Sequence, residues 1–95
     1  MKYTDLLKIS NPEIVEKKFK LIYPNTTHIN ISTRKNKKYM ILNPHTDKYF
    51  HFGSNMQDYT HHLDDKRRNN FLLRNARWKD NNIYSAAYAS YHLLW

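Results

Sequence analysis

The sequence predicts an α+β domain in which a three-stranded antiparallel meander is flanked by an N-terminal helix and two C-terminal helices. Three observations predict it. A proline-led amphipathic stretch runs from Ser10 to Tyr23, the pattern switches to period-two alternation at Thr27, and helical spacing returns after Asp58. The expected segments are 1–26 (helical), 27–53 (β-meander) and 54–95 (helical), all within one domain of 95 residues.

Ser10-Asn11-Pro12-Glu13 marks the first helix start. Either Asn11 caps it with Pro12 at the first helical position, or Ser10 and Glu13 form a capping box. Val15, Phe19 and Ile22 then share one face. Glu13 with Lys17 and Glu16 with Lys20 are acid-first pairs four residues apart, the better orientation on a helix surface. Pro24 ends the helix near Tyr23.

From Thr27, Ile29, Ile31 and Thr33 alternate with His28, Asn30 and Ser32, which is the pattern of a half-buried strand. Arg34-Lys35-Asn36-Lys37-Lys38 reads as a basic turn, and Tyr39-Met40-Ile41-Leu42 as a second strand. Asn43-Pro44-His45-Thr46-Asp47 is a second turn. It leads to a third strand, Lys48 to Phe52, with Phe50 and Phe52 on one face. Gly53 is the only glycine, so it marks a backbone position that needs a positive φ or a close approach.

Asp58 or Thr60 can cap the next helix, and Asp64 and Asp65 in its first turn suit the positive end of the helix dipole. Phe71, Leu72 and Leu73 spread around its circumference, with Ala76 and Trp78 added, so this helix needs more than one neighbour. Asp80-Asn81-Asn82 breaks the chain. A last helix is expected to place Tyr84, Ala87, Tyr88, Tyr91, Leu94 and Trp95 on one stripe.

Composition narrows the function classes. Hydrophobic residues make up 40% and aromatics 15%, which opposes disorder despite a mean hydropathy of −0.91. Sixteen Lys and Arg against eight Asp and Glu give a net charge of +8, which favours polyanionic partners: nucleic acid, acidic protein faces or anionic lipid. With no cysteine there is no disulfide framework, and a metal site would draw on His, Asp or Glu. No apolar stretch is long enough for a signal peptide or a membrane span, so a soluble intracellular product is expected.

Three sets of residues carry candidate chemistry. The basic set is Arg34, Lys35, Lys37 and Lys38 on the turn, with Arg67, Arg68, Arg74 and Arg77 on the helix. Such residues can follow a phosphate backbone, dock an acidic protein surface or simply form a solvated face. The second set is His51, His61 and His62 with Asp58, Asp64 and Asp65, ligand types that suit zinc or a divalent ion in a nuclease. Adjacent His61 and His62 point about 100° apart on a helix, which opposes a shared small site, and no HExxH, CxxC or GxSxG spacing is present. No catalytic residue and no cofactor is assigned. In the aromatic set, Phe50, Phe52 and Phe71 are expected in the core, whereas Tyr88, Tyr91 and Trp95 suit an interface as well as a core.

The order KKYMIL, then YFHFGSNMQDYTHHLDDKRRNNFLLRNARW, then SAAYASYHLLW resembles a group of small basic proteins encoded by large eukaryotic DNA viruses. The resemblance covers Lys37 to Trp95 and rests on Lys38, Tyr39, Phe52, Gly53, Asp58, Tyr59, Thr60, His62, Asp64, Arg67, Arg68, Arg74 and Trp95. Asn75 stands where relatives often carry His, and the sequence stops at Trp95 where relatives usually continue into a basic tail. The resemblance implies a viral source and a virion or host-cytoplasmic virus-factory location, and it supplies no catalytic residues to carry over.

The expected function is therefore that of a non-enzymatic virion structural or assembly protein. It would be a minor capsid or internal cementing component that meets larger viral proteins through Arg34, Lys35, Lys37, Lys38, Arg67, Arg68, Arg74, Arg77, Tyr88, Tyr91 and Trp95. The alternatives are a nucleic-acid-binding protein that grips phosphates through Arg34–Lys38 and the basic helix, and a metal-dependent nuclease.

Overall fold

The computed structural model describes residues 1–95. One helical turn, α1 (Tyr3–Leu6), precedes α2 (Pro12–Ile22), and the strands β1 (Ile29–Ile31), β2 (Tyr39–Asn43) and β3 (Lys48–Phe52) follow. The C-terminal part contains α3 (Tyr59–His62), α4 (Asp65–Arg74), a 3₁₀ turn at Ala76–Trp78, and α5 (Ala86–Ala89), which widens into a π turn at Ser90–Leu94. The fold is α+β, with a meander in the order β1-β2-β3 and both pairings antiparallel.

Asn11 is the cap that starts α2. Its side chain accepts from Glu13 N at 3.1 Å, Pro12 occupies the first turn, and Tyr23 ends the helix as Pro24 requires. Val15 and Phe19 are buried and Ile22 is half-buried, so the expected face is the packed one. Of the two acid-first pairs, Glu16–Lys20 closes to 3.2 Å. Glu13–Lys17 does not form. Helix α1 has no expected counterpart, because one turn is too short to show periodicity. It is held by Leu6, which is completely buried.

Register explains the core. Opposing residues of an antiparallel pair share a face, so Ile29, Ile31, Tyr39, Ile41, Phe50 and Phe52 all point to one side of the sheet. Helix α5 packs on β3, and α2 packs on the π turn. The central cluster joins Leu6, Val15, Phe19 and Tyr23 to Tyr39, Ile41, Phe52, Ala89, Leu93 and Leu94. Each buried Leu, Ile, Val or Phe contributes about 1.5–3 kcal/mol.

The last two helices differ from expectation in detail. Leu63 takes a left-handed conformation (φ 55°) and ends α3 after one turn. Asp64 then caps a new helix by accepting from Lys66 N and Arg67 N. The expected continuous helix is therefore two. At the C-terminus, Ser85 is the cap and Tyr84 lies before the helix, with its N–H bound to Asn82 Oδ1. The π turn shifts the angular spacing, so the fully buried residues are Ala89, Leu93 and Leu94, while Tyr88, Tyr91 and Trp95 stay half-buried.

Candidate functional site

Helix α4 buries no residue completely. Its positions 67, 71 and 74 recur at helical spacing, and Trp78 on the 3₁₀ turn joins them, so Arg67, Phe71, Arg74 and Trp78 line one wall with charge and aromatic surface. The facing wall, from α5 and the π turn, presents the small residues Ala86, Ala87 and Ser90 before Leu94 and Trp95. Large side chains face small ones, and a groove of about 960 Å³ is left between the walls. Lys37, Gly53, Ser54, Met56 and Gln57 form its end.

The aromatic floor is tied together. Phe71 and Trp95 stack with ring centroids 4.3 Å apart and planes 7° from parallel, and Trp78 meets Phe71 edge-on at 5.9 Å. His62 lies 5.2 Å from the Trp95 ring. Arg68 Nε donates to the Trp95 main-chain oxygen at 2.7 Å, and the guanidinium sits 5.3 Å from the Tyr59 ring centroid. Pairs of this kind add about 0.5–1.5 kcal/mol beyond the area they bury. Expected in the core, Phe71 instead belongs to this separate half-buried cluster, because the early stop at Leu63 turns α4 away from the sheet.

Beneath the end of the groove lies a buried polar network. Lys38 is 2% exposed and Asp58 0% exposed, and Lys38 Nζ donates to Asp58 Oδ2 at 3.1 Å and to the Met56 carbonyl at 2.5 Å. Asp58 also accepts from Thr60 N at 3.0 Å and from the Thr60 hydroxyl. The Thr60 hydroxyl accepts from Asn11 N at 2.9 Å, and Ser10 Oγ links it to the Tyr39 hydroxyl, 2.7 Å from Ser10. Burial lowers the Lys38 ammonium below the ordinary lysine value, against the pull of Asp58. Burial likewise raises the Tyr39 phenol. Gly53 (φ 87°) lies against this network, and a Cβ there would stand 3.0 Å from Lys38 Cδ and 3.1 Å from Leu94 Cδ1. Both properties expected of this glycine are present.

Lys38 was expected among the partner contacts and is instead a structural anchor. The basic turn ends one residue earlier than its charge pattern suggests, because the Lys38 ammonium satisfies a carboxylate twenty residues further along. Arg68 is likewise engaged internally with Trp95 and Tyr59. Of the other expected contacts, Arg34, Lys35, Arg67, Arg74 and Arg77 are exposed and Lys37 is half-buried. None of these six has a carboxylate within 4.0 Å, since only Lys8, Lys20 and Lys38 are ion-paired. The groove gathers Lys37, Arg67, Arg74 and Trp95, but not Arg34, Lys35, Arg77, Tyr88 or Tyr91. Met56 and Leu73, which line it at 66% and 77% exposure, were not expected as site residues. The signal available for Leu73 was its place in a helix with more apolar faces than one core can cover.

The histidine and aspartate set is not drawn together. His51 Nδ1 pairs with Ser32 Oγ at 2.7 Å, His62 Nδ1 accepts from Asp64 N at 2.9 Å, and Asp58 is held by Lys38. No three His, Asp or Glu side chains are grouped to hold a metal ion. No helix is long and apolar enough to cross a membrane.

Residues 27–75, which span the meander, the Lys38–Asp58 network and α4, match the model of a family described as a family of unknown function (DUF5754). No curated protein and no solved structure matches the chain.

Proposed function

The chain belongs to the DUF5754 family, and we propose that it is a non-enzymatic assembly protein that holds a larger structural protein on the groove beside α4. The observation that carries this reading is the joining of unneutralised cations to an exposed apolar floor in one depression. Lys37, Arg67 and Arg74 stand beside Met56, Leu73 and Trp78, and no acidic residue lines the groove. Monomeric proteins seldom leave large apolar side chains clustered in a depression unless a partner covers them. The viral setting, as a minor capsid or internal cementing component made in the host cytoplasm, is supported by the resemblance of Lys37–Trp95 to small proteins of large DNA viruses.

Nucleic-acid binding is the second reading, favoured by the unpaired cations of the 34–37 turn and α4. Quantitative mass spectrometry of purified particles, stripped by nuclease and then by rising salt, separates the two. Retention with the shell proteins at a fixed ratio after nuclease treatment is expected of an assembly protein. Release by nuclease places the protein on the genome, and absence from the particle overturns the virion assignment.

A further inference from the structure

The groove also restricts the chemistry of what it holds. We infer that its occupant is an acidic amphipathic segment of the partner protein, with apolar side chains against Met56, Leu73 and Trp78 and carboxylates on Lys37, Arg67 and Arg74. This rests on the assembly reading above and goes further by naming the partner's surface. Charge complementarity fixes the sign: the rim carries cations without acid partners, and the lining contains no Asp or Glu to repel an anion.

The floor favours a peptide over a single-stranded nucleic acid. Single-stranded nucleic acids are held by stacking bases on free aromatic faces. Here one face of Phe71 and one face of Trp95 are taken by each other at 4.3 Å, and His62 lies against Trp95. The most exposed apolar surface is instead the thioether of Met56 and the isobutyl group of Leu73. These are flexible groups that repack around the branched side chains of a peptide. Arg67 and Arg74 are seven residues apart, so they stand about 10 Å apart along α4, two helical turns. Carboxylates two turns apart on a partner helix laid along α4 would meet both.

The chain's two tryptophans, Trp78 and Trp95, both line the groove, so its intrinsic fluorescence reports occupancy there. The test is a fluorescence titration of the full chain with three probes. These are a synthetic amphipathic helix of leucine and glutamate, the same helix with lysine for glutamate, and single-stranded oligothymidylate. The glutamate helix is expected to shift the emission saturably, with the lysine helix about tenfold weaker or worse. The variant R67E/R74E, altered only at exposed positions and checked for folding by circular dichroism, is expected to invert that preference. Leu73→Ser, also exposed, is expected to weaken the glutamate helix without changing the charge of the groove. Preference for oligothymidylate, equal response to both helices, or no response to the glutamate helix overturns the inference. If the glutamate helix fails while the protein stays with the shell at a fixed ratio, the named occupant is wrong and the assembly function stands.

Discussion

The ammonium of Lys38 meets the carboxylate of Asp58 at 3.1 Å in a place almost without solvent, and this pair fastens the end of the β1–β2 turn to the cap of α3. The same aspartate holds the first turn of α3 through Thr60, and the same lysine holds the chain at Met56. The pair therefore fixes the spacing between the sheet and the segment that closes one end of the groove.

The costs of removing the two members should not add. Lys38→Met leaves a buried carboxylate without its counter-ion, and a loss of about 3–5 kcal/mol is expected. Asp58→Asn also forfeits charge-assisted capping and should lose a similar amount. The double variant K38M/D58N is expected to be less unstable than the sum of the two. Urea unfolding of the four proteins in the cycle measures this, and strict additivity would show that the pair is not coupled.

Gly53→Ala is expected to destabilise the fold by about 1–3 kcal/mol, because a non-glycine residue is strained at positive φ. The new methyl group also has little room to be accommodated. Its nearest neighbours, Lys38 and Leu94, are both buried, and Lys38 is pinned by Asp58. Thermal melts report the loss.

Stability should fall as solutions become mildly acidic. His51 is lowered from the ordinary value of 6.5 by partial desolvation and by the neighbouring Arg34 and Lys37, and His62 by partial desolvation and Arg67. The unfolded chain therefore takes these protons first as pH drops. The stabilisation is complete above pH 6.5 and is lost as pH falls through the lower folded values. Protonating His62 also turns its Nδ1 from an acceptor of Asp64 N–H into a donor facing a donor. The variant H51Q/H62Q should show a flatter melting-temperature profile between about pH 7 and pH 5. An unchanged slope would assign the acid sensitivity to other groups.

Trp95→Ala should open the groove floor. It removes the ring stacked on Phe71, and a loss of about 2–3 kcal/mol is expected for a half-buried aromatic, below the range for full burial. Arg68→Ala removes only the bond to the Trp95 oxygen and the contact with Tyr59, and should cost about 1 kcal/mol. Hydrogen exchange of α4 amides should rise in both, and more in Trp95→Ala.

These features were unequally legible in the sequence. Asn11-Pro12, the alternation from Ile29 and the lone Gly53 act through their own backbone, so the α2 start, the meander and the tight strand exit could be read locally. Lys38 could not, because its burial depends on a carboxylate that only the folded chain brings near. Leu63 gave no warning of its left-handed turn, since leucine has no preference for that conformation, although Asp64 beside it is an ordinary cap. The widening at Ser90–Leu94 changed the angular spacing of the final stripe, so Leu93, outside the expected stripe, is buried, while Tyr88 and Tyr91, which suited an interface as well as a core, stay half-buried. The basic residues of the groove were read from charge, but its shape comes from Ala86, Ala87 and Ser90 facing Phe71 and Trp78.

The central claim is that the groove beside α4 is covered by a partner protein, and a photo-crosslinking residue placed at Leu73 tests it most directly. Leu21 on α2, 86% exposed and outside the groove, is the matched control. Irradiation during particle assembly is expected to join position 73 to one larger protein at a recurrent acidic segment, with no comparable adduct from position 21. Equal adducts from the two positions, or nucleic acid as the species joined at position 73, would contradict it.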